Sequence, residues 1–207
     1  MSGPWLLLQL ADGTFPSGGF AHSNGLEAAS VLGNIGVEAF LDASLRQAGR
    51  FALPFVRQAR EDLARADDEC DAMLLFRGPN QASRAQGRAL VNSVNRVWGL
   101  QDLENYRSEP ERPMHHAPLF GAVFTALGVS DEDTRAAYLH GLARGILSAG
   151  VRLGLLGPLE AQQLHAARAA LMTDVLRETD PEPAQTAPLL EIYAALHERL
   201  DGRMFQS

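Results

Sequence analysis

The side chains here that could do chemistry are six histidines, one cysteine and a serine-bearing loop. His115 and His116 are adjacent, so on a regular element their rings point in different directions. A helical metal site uses ligands at i and i+4, as in H-E-x-x-H. None of His22, His115, His116, His140, His165 and His197 stands at that spacing from another. There is no C-x-x-C pair, and Cys70 is alone. The spacing therefore indicates no structural zinc site and assigns no metal ligand. His116 reads equally well as a residue that caps or packs at a helix start.

Asp12, Ser17 and His22 place an acid, a hydroxyl and an imidazole five apart on one loop. No G-x-S-x-G elbow surrounds Ser17, and proximity in sequence does not make a triad, so no catalytic residue is assigned. All 18 basic residues are arginine. Without lysine there is no phosphate-binding loop of the Walker type and no Schiff base. A formal charge of −7 argues against a nucleic-acid partner, which needs a basic footprint. A single cysteine forms no internal disulfide, and a reducing cytoplasm is the simplest compartment. No apolar run reaches 18 residues and the N-terminal one lacks a basic flank, so neither a membrane span nor a signal peptide is expected.

The elements that must position these residues read as helices. With 207 residues, 46% of them hydrophobic, the chain suits one compact core. Apolar residues recur at helical spacing from Val37 to about Asp62, with Pro54 kinking or splitting the run. Further helices are expected at Asp67 to Arg77, ended by Gly78-Pro79, and at Gln81 to Trp98. Residues 103–113 read as a loop with a short helix. Ser130-Asp131-Glu132-Asp133 is a capping arrangement. In the helix it starts, Ala137, Gly141 and Gly145 form a smooth face that a second helix, or a second protomer, can approach closely. Gly157-Pro158 restarts a helix that runs to Val175. Residues 178–188 are a proline-rich linker before a last helix, Leu189 to Leu200. No stretch alternates as a strand does. The expected fold is all-α: one compact helical domain, residues 1–200, of roughly eight to ten helices, with a mobile C-terminal tail, residues 201–207.

The most informative stretch is Trp5 to Glu27, WLLLQLADGTFPSGGFAHSNGLE. Pro16 fixes one backbone angle and Gly18 and Gly19 free others. The run resembles the opening signature of the urease accessory protein UreF family, L-x-Q-L-A-[DS], P-x-G-G-[FY] and S-x-G-L-E. Gly13 departs from the family's usual Ser. Three later segments are similar to the same family: Ala82-Ser83 through Leu90 (A-S-x-x-x-G-x-x-L), His116 to Gly121 (H-x-P-x-x-[FY]-G), and Ala149 to Leu153 (A-[AG]-V-[RK]-L). The ending His197-Glu198 through Arg203-Met204-Phe205 and Ser207 also matches, with Asp201 and Gly202 departing from Tyr and Ser.

The resemblance implies an all-helical homodimer that is not itself an enzyme and holds no cofactor. It implies a bridge between UreD (UreH in some species) and the GTPase UreG, coupling GTP hydrolysis to nickel delivery into apo-urease. Glu27 and Arg152, read alone as surface charges, lie in family-matched segments. With Pro16, Gly18 and Gly19 they are expected to form the face that meets UreG. His197, Arg203, Met204 and Phe205 are expected to order against UreD, with Phe205 in an apolar pocket of that partner. The alternative is a generic helical adaptor with no role in metal delivery.

Overall fold

The computed structural model describes residues 3–33, 35–178 and 182–206. Among them there are twelve α-helical segments and no strand. In order these are α1 (Pro4–Ala11), α2 (Leu26–Leu32), α3 (Val37–Arg50), α4 (Ala52–Gln58), α5 (Leu63–Met73), α6 (Arg77–Trp98), α7 (Gln101–Ser108), α8 (His116–Ala126), α9 (Asp131–Arg152), α10 (Pro158–Ala167), α11 (Ala169–Arg177) and α12 (Pro188–Leu196). Short 3-10 turns cover Gly19–Ala21 and His197–Arg199. Two pairs, α3/α4 and α10/α11, are each one run broken at a single residue, Phe51 and Arg168.

The break at Phe51 is the one Pro54 demands. Pro54 falls in the first turn of α4, where a missing N–H costs nothing. The break at Arg168 was not visible in the periodicity. The Arg168 side chain donates to Asp42 at 2.8 Å and pairs with Glu38, which pins the break to α3. Two boundaries also differ from the sequence reading. Asp62 caps α5 by accepting the Arg65 N–H at 3.0 Å, so α5 starts earlier than Asp67. Pro79 does not end a helix; it sits in the first turn of α6, which begins at Arg77. Ser130 caps α9 as its sequence suggests, accepting the Asp133 N–H at 3.1 Å.

Helix α8, HAPLFGAVFTA, is apolar on every side and therefore belongs in the middle. It packs on α4, α5, α6 and α9. Glycine makes two of those approaches possible. A Cβ on Gly121 of α8 would stand 2.0 Å from the Val56 carbonyl oxygen of α4. A Cβ on Gly87 of α6 would stand 2.1 Å from the carbonyl oxygen of Met114, just before α8. One apolar cluster then gathers Phe40, Leu41, Phe55, Leu139 and Ile146; a second gathers Leu90, Val94, Leu119 and Phe124.

The linker is held rather than free along its described residues. Ala184 N–H donates to the Arg50 carbonyl at 2.8 Å. The Gln47 side-chain oxygen accepts from Thr186 N–H at 2.7 Å and Ala187 N–H at 2.9 Å. Residues 179–181 of the linker and Ser207 of the tail lie outside the described residues.

Gly121→Ala separates packing from propensity. Helix propensity alone favours alanine by about 1 kcal/mol. A methyl against the Val56 carbonyl is expected to reverse the sign and destabilise by about 3 kcal/mol. Urea denaturation of both proteins measures it, and a stabilised variant would refute this account of α8.

Candidate functional site

Glu27 opens α2 and is 6% exposed. It is reached by a chain segment almost the whole sequence away. Its Oε1 accepts the Met204 N–H at 2.7 Å. Its Oε2 pairs with His197 Nε2 at 2.7 Å and accepts the Phe205 N–H at 3.2 Å. Burial by itself raises the carboxyl's pKa. The hydrogen bonds from Met204, His197 and Phe205 outweigh it and hold Glu27 below the usual carboxylate range. Gln206 N–H adds a bond to the Ala21 carbonyl at 2.9 Å.

Arg152 ends α9 beside this junction. Its guanidinium lies between two rings, 3.9 Å from the Phe20 centroid and 4.1 Å from that of Phe205. Its Nη2 donates to the Phe20 carbonyl at 2.8 Å. Cation–π contact on both faces suits a planar cation. Burial lowers the arginine's pKa.

The loop between α1 and α2 is fixed by its backbone. Pro16 carbonyl accepts the Ser93 hydroxyl of α6 at 2.6 Å. Gly18 has φ +83°, and a Cβ there would stand 2.9 Å from the Ala89 Cβ. Gly25, at φ +86°, lets the turn into α2 pass the backbone of Ala194. Phe20 remains 70% exposed and Met204 59%.

The residues expected on two separate partner faces therefore meet in one cluster. Glu27 is not a lone surface charge, and Arg152 is half-buried. Phe205 is 4% exposed, so the apolar pocket expected on a partner is supplied by this chain. The tail from Arg203 to Gln206 is docked by hydrogen bonds from 204, 205 and 206, rather than loose until a partner arrives. Arg203, Met204, Gly19 and Pro16 lie at the surface around it, Gly19 the most enclosed.

A second polar cluster was missed by the sequence reading. Asp67, wholly buried on α5, accepts from Tyr106 hydroxyl at 2.8 Å, Met114 N–H at 2.8 Å and His115 N–H at 2.7 Å. One turn on, Asp71 meets His115 Nε2 at 3.0 Å, Arg84 at 2.5 Å and Asn80 at 2.8 Å. Burial opposes that charge, but those three donors push the Asp71 carboxyl down to about 2. The other His115 nitrogen, Nδ1, lies 3.1 Å from Ser83 Oγ. The order Ser83–His115–Asp71 has the outline of a hydrolytic triad. Its chemistry is otherwise engaged: Ser83 Oγ accepts the His116 N–H at 3.2 Å, so it caps α8. His115 is fully buried, and Asp71 is shared with an arginine and an amide. Asp67 and Asp71 at i,i+4 put two acids on one helix face; with the Ser83 segment and the adjacent histidines, that is the sequence signal of this cluster.

Asp12, Ser17 and His22 do not converge; Asp12 is taken by Thr14, through its N–H and its hydroxyl. Burial drives the Cys70 thiol's pKa upward, which makes it a poor ligand and nucleophile. The ring of His116 packs against Phe120 and Tyr138 at the start of α8, and burial pushes its pKa down to about 4. Among the described residues no three His, Cys, Asp or Glu side chains are grouped to hold a metal, and no helix is long and apolar enough to cross a membrane.

Fold and site together define an all-α protein whose polar side chains join its own distant segments. The family model UreF matches residues 33–169. Urease accessory protein F of Oryza sativa subsp. indica is 35% identical, over 97% of this chain and 84% of its own length. That of Arabidopsis thaliana is 33% identical over 98% and 92%, and UreF of Mycobacterium sp. (strain JLS) 32% over 97% of both. The chain belongs to the UreF family of urease accessory proteins. The family model spans the Ser83, His116 and Arg152 segments; the opening signature and the tail lie outside it.

Glu27→Ala is expected to destabilise by about 3 kcal/mol, because it leaves two backbone donors and a buried histidine without their acceptor. A carboxyl whose pKa is lowered by folding stabilises above its ordinary range and loses that contribution as pH falls through the lowered value. The gap between wild type and Glu27→Gln, measured by urea unfolding, should therefore shrink as pH drops from 7 towards about 3. A gap constant with pH would contradict the bonded carboxylate.

Proposed function

We propose that this chain is a bridging protein of urease maturation. A two-fold dimer meets UreD (UreH) and the GTPase UreG, and couples GTP hydrolysis to nickel delivery into apo-urease. The chain carries out no catalysis of its own and works in the cytoplasm. The observation that carries this reading is the match to urease accessory proteins over nearly the full length, with three of the family-like segments, the opening signature, the Arg152 segment and the tail, meeting in one cluster.

The cluster divides the labour between its residues. Glu27, His197 and Phe205 are buried, so they act by holding the face in shape. Pro16, Gly18, Gly19 and Arg152, with exposed Phe20, form the UreG side; Arg203 and Met204 form the UreD side. An exposed aromatic ring braced on an arginine is the kind of anchor that dominates interfaces. In this reading the small-residue face of α9, which lines a cavity together with the signature loop, is not assigned to the dimer.

Phe20→Ala and Met204→Asp should melt within a few degrees of wild type, since exposed side chains contribute little to stability. Phe20→Ala should weaken UreG binding by about tenfold or more, and Met204→Asp should do the same for UreD. Both should lower urease activation in a reconstituted assay. Unchanged affinity for each partner would overturn the assignment of these faces. Ester hydrolysis should be equally negligible for wild type and Ser83→Ala; activity lost in the variant would reinstate the triad.

A further inference from the structure

Beneath the signature loop the helices enclose a cavity of about 430 Å³. Its volume lies in the range of about 300–1,000 Å³ usual for small-ligand sites. Phe15, Phe120, Phe124 and Leu142 supply much of its wall, and Arg144 and Arg152 stand in it.

Two features distinguish it from a packing fault. On α9, Gly141 faces open space: a Cβ built there meets nothing within 4 Å. One turn on, the Arg144 guanidinium lies against the loop backbone at Gly13, where a Cβ would stand 2.1 Å from Arg144 Nη1. The arginine tip thus rests directly on the loop backbone. The Nε of Arg144 is buried and has no acceptor among the described residues. Oδ1 of the nearby Asp12 accepts both Thr14 donors, and the Asp12 carboxylate attracts Arg144 electrostatically without satisfying its Nε. The Nε of Arg152 is likewise buried without an acceptor, but its faces are covered by Phe20 and Phe205 and its Nη2 bonds the Phe20 carbonyl; it adds positive charge to the wall. Two arginines in an otherwise largely apolar wall offer an arriving carboxylate a charge-assisted pair.

We propose that this cavity binds a carboxylate borne on an apolar or aromatic body, with Arg144 taking the carboxylate and the phenylalanine-lined wall taking the body. The site goes beyond the partner faces above, and its chemistry can be tested without any partner. The carboxylate can come from a free acid or from an acidic side chain of the GTPase partner.

Phenylacetate is the probe, titrated into the full chain and followed by calorimetry and by the arginine Nε–H and Gly13 and Gly141 amide resonances. Saturable binding with a dissociation constant of a few millimolar or tighter is expected, with neutral phenylacetamide bound at least about tenfold more weakly. Arg144→Gln should weaken phenylacetate about tenfold, and Gly141→Leu, which fills the cavity, should abolish binding. Both variants should melt near wild type. No saturation by about 50 mM, equal binding of the amide, or unchanged binding by a folded variant would each overturn the proposal. Saturating phenylacetate should then be added to a UreG binding measurement. Weakened UreG binding identifies a partner side chain as the natural occupant, and unchanged binding identifies a free acid.

Discussion

Two consecutive backbone N–H groups, those of Met114 and His115, end on one buried carboxylate, Asp67. The junction is demanding. Met114 is held at φ 69°, a region an L side chain seldom enters, and the carboxylate has no exposed surface. The two amide bonds and the Tyr106 hydroxyl satisfy it, and together they set where α8 begins. From that start α8 lies close enough to α4 and α6 for backbones to touch at Gly121 and Gly87. Helix α9 packs on α8 as well as on α3 and α10, and the Gly19–Ala21 turn packs on α9.

The Glu27 junction repeats the device near the surface. Again one buried carboxylate gathers successive backbone N–H groups, here from Met204 and Phe205, with a histidine on its remaining side. The difference is sequence distance. Asp67 joins elements some forty-odd residues apart, whereas Glu27 joins the two ends of the chain. The first fixes a core helix; the second fixes a surface. Arg152 then closes that surface by stacking on a ring from each end.

Much of the helical framework is legible in the sequence because caps and prolines act locally. Ser130 marks a helix start through a bond to its own neighbour, and Pro54 and Pro158 through a fixed φ and a missing N–H. Pro79 misleads for a related reason: a first-turn proline and a terminating proline look alike until the residues before them are placed. The break at Arg168 depends on Glu38 and Asp42, more than a hundred residues distant, and no local pattern reports it. The candidate site is legible as a set of residues and illegible as an arrangement. Glu27 and Arg152 read as surface charges because their partners are backbone amides of the tail and aromatic faces, neither of which leaves a pattern in sequence. The Asp67–Asp71 pair leaves only an i,i+4 spacing that surface salt bridges share.

The stacking of Arg152 on Phe20 and Phe205 has a consequence for synthesis. A nascent chain that has emerged through α9 already holds the arginine and the first ring, yet it lacks the second ring and every amide that Glu27 needs. Domains take shape as they leave the ribosome, but contacts this remote in sequence wait for the last piece. The junction around Glu27 and Arg152 is therefore complete only after residue 205 has been added. A product cut short after α12 carries the sequence of every described α-helix, yet it leaves Glu27 without its two amide donors and one face of the Arg152 guanidinium bare.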